Sequence, residues 1–362
     1  KYFEMKKKIL ISTGGSGGHV IPAITFYDHL KENFEIFLTT DKRGVRFINQ
    51  NKYIFNIINV PQLTKNFFKI PFNLIFFLLS ILKSIFFIKK NEIRIVISTG
   101  GYMSLPICIA AKILNCKVFL FEPNMTIGRS NLFFLKQCSK IFCYANKINN
   151  FPEKYNEKLE LIYPLLRKEV YNEKKNLNSK FEKKITILIF GGSQGADFLQ
   201  NNLKKCMVEL SKNFEIFVNH QTNEQNYKDL EIFYKKNDIK FNLFDFDESL
   251  TKLITKSDLC ITRSGASSLA ELVHLNIPFI TIPFPYAKDN HQFHNGIFYK
   301  NKNCCWLLEQ KNIKNNELFD LIMRIITDHK DVESKIIEMQ KISYQNTWNN
   351  INQKILSTIN EN

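Results

Sequence analysis

Ile9-Leu10-Ile11-Ser12-Thr13-Gly14-Gly15-Ser16-Gly17-Gly18-His19 decides the fold, because Ile185-Thr186-Ile187-Leu188-Ile189-Phe190-Gly191-Gly192-Ser193-Gln194-Gly195 repeats its plan in the second half of the chain. Each begins as a short apolar run that reads as a buried strand, turns on clustered glycines, and leads into a helix. The first helix is predicted to open near Pro22 and run to about Asn33, the second to run through about Leu210. Both units then close alike, in Asn33-Phe34-Glu35-Ile36-Phe37 and Asn213-Phe214-Glu215-Ile216-Phe217, each read as the next strand. Two such β-loop-α-β units predict an α/β protein of two Rossmann-like domains, each a parallel sheet with crossover helices.

The alternation continues outward. Strands are predicted at 94–98, 117–121 and 140–145, with helices from Pro106 and over 128–137 between them. A Lys-, Asn- and Glu-rich stretch, 163–184, reads as a linker. Beyond it come strands at 258–262 and 279–283, a helix over 267–275 and another from about His291. The division expected is 1–164 and 165–340, with 332–359 helical in pattern and a C-terminal helix, 341–362, that returns to the first domain. Ligands of such folds bind beyond the carboxyl ends of the strands, where every glycine-rich loop of this chain falls, so the cleft between domains is the expected site.

Composition narrows the class. At 362 residues the chain has room for two cores, and with 44% hydrophobic and 13% aromatic residues against 23% charged ones it is too apolar to be disordered. A formal net charge of +16 suits an anionic partner: nucleic acid, membrane surface or phosphorylated substrate. Biased coding composition with solvated lysines explains the same excess, so charge does not decide. The eight cysteines form no CxxC pair and no zinc-type spacing, which fits a reduced cytoplasmic setting. Residues 1–11 are too briefly apolar for a signal peptide, and Met5 is a candidate start.

Successive glycines let the backbone approach a phosphate, and the helix that follows offers free N–H groups. Gly14–Gly18 and Gly191–Gly195 both qualify, although a βα turn often needs glycine merely to turn. A dinucleotide fingerprint is the rival reading, with Asp41 placed as the ribose acid, but Val20 stands where its third glycine belongs. His19 enters the helix at its N-terminus, which disfavours the imidazolium and suits a general base. Arg263-Ser264-Gly265-Ala266 follows a strand, with Ser267 and Ser268 at a helix start and Glu271 a turn later, a plan for phosphate at the helix start and a ribose on the carboxylate. Asp289-Asn290-His291-Gln292 adds polar groups able to read sugar hydroxyls.

Residues 70–88 approach the length of a membrane-spanning helix. Spanning would separate strands that belong in one sheet, so the alternatives are a buried core helix or one that covers the sheet with part of its apolar surface and lays the rest on anionic lipid. Asn73, Ser80 and Ser84 form its narrow polar stripe, Ile75, Leu79, Leu82 and Phe86 are the membrane candidates, and Lys65, Lys69, Lys83, Lys89, Lys90 and Arg94 flank it.

Taken together, Gly14-Gly15-Ser16-Gly17-Gly18-His19-Val20-x-Pro22, Gly100-Gly101-Tyr102-x-Ser104-x-Pro106, Glu122-x-Asn124, Gly191-Gly192-Ser193-Gln194-Gly195-Ala196 and Arg263-Ser264-Gly265-Ala266 with Glu271 resemble the MurG family. These are the bacterial peptidoglycan glycosyltransferases that add N-acetylglucosamine to lipid I to make lipid II, with a two-domain GT-B fold. The resemblance implies an N-terminal acceptor domain and a C-terminal domain for UDP-N-acetylglucosamine, inversion at the anomeric carbon, no metal and no cofactor. It implies His19 as base with Glu122 in support, and Gly14, Gly15, Gly100, Gly101 and Tyr102 at the acceptor diphosphate. The implied donor positions are Ser16, Gly17, Gly18, Asn124, Arg167, Ser193, Gln194, Phe246, Ala266, Ser267, Ser268, Glu271, His291 and Gln292. It further implies a peripheral enzyme on the cytoplasmic face of the inner membrane, with partners in cell-wall synthesis and no nucleic acid. The chain departs from the family pattern at Phe121, where a His is usual, at Pro123, where a Gln is usual, and at Asn290-His291-Gln292, where Arg-Gln-Gln is common. Two rivals stay open: a UDP-N-acetylglucosamine 2-epimerase-like enzyme and a non-catalytic nucleotide-binding protein at the membrane.

Overall fold

The computed structural model describes residues 6–61, 70–191, 196–245, 250–313 and 316–362. The chain divides into two compact units, Lys1–Lys168 with Trp348–Asn362, and Glu169–Thr347. The first carries β1 (Lys8–Ser12), α1 (Gly17–Leu30), β2 (Glu35–Thr40), β3 (Asn56–Ile57), α2 (Ile70–Lys90), β4 (Ile95–Ser98), α3 (Leu105–Ile113), β5 (Lys117–Glu122), α4 (Arg129–Phe134), β6 (Lys140–Cys143) and β7 (Leu159–Leu161). Its seven strands run parallel in the order β3-β2-β1-β4-β5-β6-β7. Ile9 pairs with Ile36 on one side and Ile95 on the other. The central strands are unbroken apolar runs because helices cover both faces. On one face Phe26 of α1 meets Phe121 and Phe142 edge-on or tilted, with centroids 5.3 and 5.7 Å away. Leu10, Val96 and Leu120 pack with Ala110 and Ala111 of α3 and Ile88 of α2.

The second unit repeats the plan with β8 (Lys184–Phe190), α5 (Ala196–Ser211), β9 (Glu215–Gln221), α6 (Glu224–Lys236), β10 (Lys240–Phe244), α7 (Leu250–Thr255), β11 (Leu259–Thr262), α8 (Ala266–Leu275), β12 (Phe279–Thr281), α9 (His291–Asn301), β13 (Trp306–Leu307), α10 (Glu317–Thr327) and α11 (His329–Ser343). Its parallel order is β10-β9-β8-β11-β12-β13. The last helix, α12 (Trp348–Glu361), belongs to the first unit, where Ile351, Ile355 and Ile359 are buried and Trp348 stacks on His29 at 3.6 Å and 17°.

Two sequence expectations are corrected. Helix α1 starts at Gly17 rather than near Pro22, so His19 lies inside its first turn. The stretch 332–359 is two helices, and the return to the first unit comes at Trp348 rather than 341, because Val332 and Ile336 are committed to the second unit's core. In α2 the polar stripe faces inward: Ser80 and Ser84 are buried, and Ser80 Oγ donates to the Asn59 carbonyl at 2.8 Å. Only its C-terminal part, through Ile85, Phe87 and Ile88, joins the core, while Ile75, Leu79, Leu82 and Phe86 are 56, 44, 60 and 69% exposed. A wholly buried helix is thereby excluded. At 21 residues α2 is long and apolar enough to cross a membrane. Its midpoint nevertheless touches the loop after β3, and β1 pairs directly with β4, so it lies against the sheet that a crossing would divide.

Burial holds His29 and His274 down to about 4 and His220 to about 3. Desolvation is the main cause in each. The unfolded chain takes up protons below about pH 6.5 that these folded rings refuse until near pH 4, so stability present above 6.5 is lost as pH falls. The expected result is a thermal midpoint that drops steadily between about pH 6.5 and 4, with His29→Phe, which keeps the stack on Trp348, removing part of the slope. A midpoint that stays flat over that interval contradicts this assignment.

Candidate active site

In each sheet the connections run in opposite directions from one pair of neighbouring strands, β1 and β4 in the first unit and β8 and β11 in the second. The loops leaving those strands diverge and leave a hollow at the carboxyl edge. In the first unit the hollow is walled by the loop into α1 and the loop after β4. His19 Nδ1 lies 2.8 Å from the Thr99 carbonyl, which can only accept, so Nδ1 carries the hydrogen and Nε2 of the neutral ring carries the lone pair. Gly100 and Gly101 hold φ of +84° and +81° and lie flat along the imidazole. A Cβ on Gly101 would stand 3.2 Å from His19 Cδ2 and 3.3 Å from Nε2, and one on Gly100 3.6 Å from Cε1. Gly101 is required both by backbone sign and by the ring beneath it, Gly100 by backbone sign alone. The turn is tied off by Ser104 Oγ, which donates to the Gly101 carbonyl at 2.9 Å. Tyr102 stacks with Phe77 of α2 at 6.1 Å, joining this loop to the exposed apolar helix.

Glu122 is 2% exposed and accepts four N–H groups. Its Oε1 receives Asn124 N and Nδ2 at 3.2 and 2.9 Å, its Oε2 Gly128 N and Asn131 Nδ2 at 2.7 and 2.9 Å. That arrangement fixes the loop into α4. Asn131, which also donates to the Phe121 carbonyl, stands 3.6 Å from where a Cβ on Gly100 would be, so Glu122 braces the loop over His19 through it. Asp41, the ribose acid of the dinucleotide alternative, is 3% exposed and turned inward onto Gly15, Gly44 and Arg43, which removes that reading.

In the second unit α8 is capped by Gly265, whose extended φ and ψ of −69° and 132° aim the first turn, Ala266, Ser267 and Ser268, at the hollow beside β11. Glu271 follows one turn on, 7% exposed. Arg263 is a cross-brace: Nη1 donates to the Ile282 and Pro283 carbonyls at 3.1 and 3.3 Å and Nη2 to Gln310 Oε1 at 2.9 Å. Burial lowers its pKa to about 10. Gln292 Oε1 accepts the Phe284 N–H at 2.9 Å, and His291 Nδ1 donates to the Lys288 carbonyl at 2.8 Å. Ser193, Gln194 and Phe246 lie outside the described residues, and Arg167 falls in the first unit. Sequence reasoning missed Gln221, whose side chain receives Gly191 N at 3.1 Å and donates to the Asp245 carbonyl at 3.2 Å, tying together the two strands that lead into those stretches. It also missed Asn131. Neither sits in a glycine cluster, the signal used to find the others.

Residues 9–143 match the glycosyltransferase family 28 N-terminal domain and residues 186–354 the family 28 C-terminal domain. Over 358 residues, 99% of this chain and 100% of the relative, the sequence is 49% identical to the UDP-N-acetylglucosamine–N-acetylmuramyl-(pentapeptide) pyrophosphoryl-undecaprenol N-acetylglucosamine transferase of Pelagibacter ubique (strain HTCC1062). Among solved structures, Acinetobacter baumannii MurG superposes with a TM-score of 0.73 at 20% identity, covering 99% of this chain and 100% of that one. A UDP-N-acetylglucosamine 2-epimerase superposes at 0.61 with 13% identity, covering 92% and 91%. The shared fold alone therefore does not separate transferase from epimerase.

Gly101→Ala should lower turnover at least 10-fold while circular dichroism stays that of the folded protein, since the added methyl displaces the imidazole and strains the backbone. Wild-type turnover in that variant would show that the ring position does not matter.

Proposed function

The chain belongs to glycosyltransferase family 28, and from that membership we propose that it transfers N-acetylglucosamine from UDP-N-acetylglucosamine to the C4 hydroxyl of N-acetylmuramoyl-(pentapeptide)-diphospho-undecaprenol, lipid I, giving lipid II. The observation that carries the reading is 49% identity across the full length of a transferase so named. The first unit receives the acceptor and the second the nucleotide sugar. His19 Nε2 takes the proton of the acceptor hydroxyl as its oxygen attacks the anomeric carbon from the face opposite UDP. The new glycosidic bond forms, the bond to the β-phosphate oxygen breaks, and configuration inverts. The departing diphosphate gains negative charge, which N–H groups at the start of α8 stabilise without a metal. Glu271 accepts the ribose hydroxyls, and His291 and Gln292 read the sugar. Glu122 keeps the loops in register without touching substrate.

The Thr99 carbonyl supports the choice of His19, because it fixes Nε2 as the basic atom. The exposed row Ile75, Leu79, Leu82 and Phe86, with Lys83, Lys89, Lys90 and Arg94 exposed beside it, supports peripheral binding to anionic lipid at the cytoplasmic face of the inner membrane.

In an assay with a lipid I analogue, UDP-N-acetylglucosamine and a chelator, wild-type protein should release UDP and form lipid II at the rate seen without chelator. His19→Ala should lower turnover roughly 100-fold or more with donor binding intact. An unchanged rate removes His19 from the mechanism, and an epimerised sugar nucleotide formed from donor alone favours the epimerase. For the membrane face, the double variant Ile75→Ser with Leu79→Ser should lose binding to anionic vesicles with little change in thermal midpoint; the opposite pattern would make these residues core.

A further inference from the structure

Asp41, which the transfer mechanism leaves unused, points to a second charged group at the acceptor loop. The carboxylate follows β2 and is 3% exposed, with Oδ1 accepting Gly15 N at 2.7 Å and Gly44 N at 2.9 Å. Its Oδ2 accepts Arg43 Nε at 2.8 Å. Burial pushes this carboxyl up, but the Arg43 hydrogen bond, the two backbone N–H groups and the Arg43 charge together bring it below its ordinary value. Gly14 is fitted to the same group, since a Cβ there would stand 2.9 Å from Asp41 Oδ1 and 3.0 Å from Met103 Cβ.

Two consequences follow for a diphosphate. The Gly15 N–H, one of the donors expected to hold it, is already committed, and a full negative charge sits directly behind the loop. On its own this arrangement would repel an anion. Arg43 reverses it. The guanidinium, with its side chain half exposed, is aligned by Asp41 at Nε and by Met103 Sδ, 3.0 Å from Nη2, and Nη2 lies 3.8 Å from where a Cβ on Gly15 would stand. Among the described residues Nη1 has no protein partner. The fork of a guanidinium suits phosphate oxygens better than a point charge does.

We propose that Arg43 is a direct ligand of the acceptor's diphosphate, and that Asp41 is a positioning residue that fixes both Arg43 and the glycine loop. The proposal rests on the reading that the first unit receives a diphosphate-linked acceptor. Steady-state kinetics with the lipid I analogue test it. Arg43→Gln should raise the acceptor KM at least 10-fold while kcat and the donor KM stay within about twofold, and inorganic pyrophosphate should lose its competition against acceptor by a similar factor. Arg43→Lys should recover part of the loss, and serves as the measured variant if Arg43→Gln does not fold. Asp41→Asn should raise the acceptor KM in the same direction. An acceptor KM within twofold of wild type in Arg43→Gln, or a fall in kcat with the acceptor KM unmoved, overturns the proposal. Wild type and His19→Ala run alongside keep two failures apart. If wild type makes no lipid II, the functional reading falls; if it does, and Arg43→Gln matches it, only the role of Arg43 falls.

Discussion

The contact on which the first unit's site depends is the hydrogen bond between His19 Nδ1 and the Thr99 carbonyl. It joins the first turn of α1 to the loop leaving β4, the two segments that the strand order drives apart. A parallel sheet whose crossovers leave in opposite directions opens a gap there of necessity. A ring that bridges the gap is oriented by a backbone carbonyl, with Gly101 packed beside its other nitrogen. Gly101 follows from that bond, because a side chain there would crowd the imidazole. Ser104 and Asn131 then fix the glycines, and Glu122 fixes Asn131. The chain of dependence runs from topology to one imidazole and out again to a buried carboxylate.

The second unit solves the same geometric problem differently. The position after β11 is filled by Arg263, whose guanidinium braces the loops after β12 and β13 and is withdrawn from any ligand. What the hollow there receives is the start of α8, with small residues in its first turn. A helix start supplies donors with partial charge and no titrating group. In the first unit the helix entry beside the hollow follows β1 rather than β4, and it carries His19. The two hollows thus draw on helix entries from opposite sides of the strand pair, one bringing an imidazole and the other the small residues Ala266, Ser267 and Ser268.

How much of this was legible in the sequence depends on how each residue earns its place. Glycine is scarce in this chain, with only 13 residues, so clusters at 14–18, 100–101 and 191–195 mark loops with little ambiguity, and the two-domain α/β plan follows from their spacing and the apolar runs before them. His19 is legible for the same reason. Glu122 was legible as part of a motif, but the four donors that converge on its carboxylate were not. Asn131 and Gln221 act through single hydrogen bonds across sheet positions, which no local pattern encodes. The direction of the α2 stripe was not legible either. Serine on an apolar helix usually marks the wet side, yet Ser80 and Ser84 satisfy their hydroxyls on nearby carbonyls and face inward, leaving larger residues outside. The point of return to the first unit was equally hidden, because Val332, Ile336, Ile351 and Ile355 look alike in sequence although the first two are buried in one unit and the last two in the other.

The inverted packing of α2 bears on where the reaction can occur. A soluble helix gains stability by burying its apolar face, on the order of 25 cal/mol for each Å² removed from water. Helix α2 forgoes much of that gain by turning small polar residues inward, so its exposed leucines, isoleucines and phenylalanines need another apolar environment to recover it. The stack of Phe77 on Tyr102 couples the helix to the Gly100–Gly101 loop and so to His19; under the proposed function, in which a bilayer surface supplies that environment, the seat of the helix sets the height of His19 above the lipid. For an acceptor whose polyprenol stays in the membrane while its diphosphate and sugar emerge, that height is a matching condition. On that reading, the residues that would hold the protein to the surface also set which atom of the acceptor comes within reach of His19.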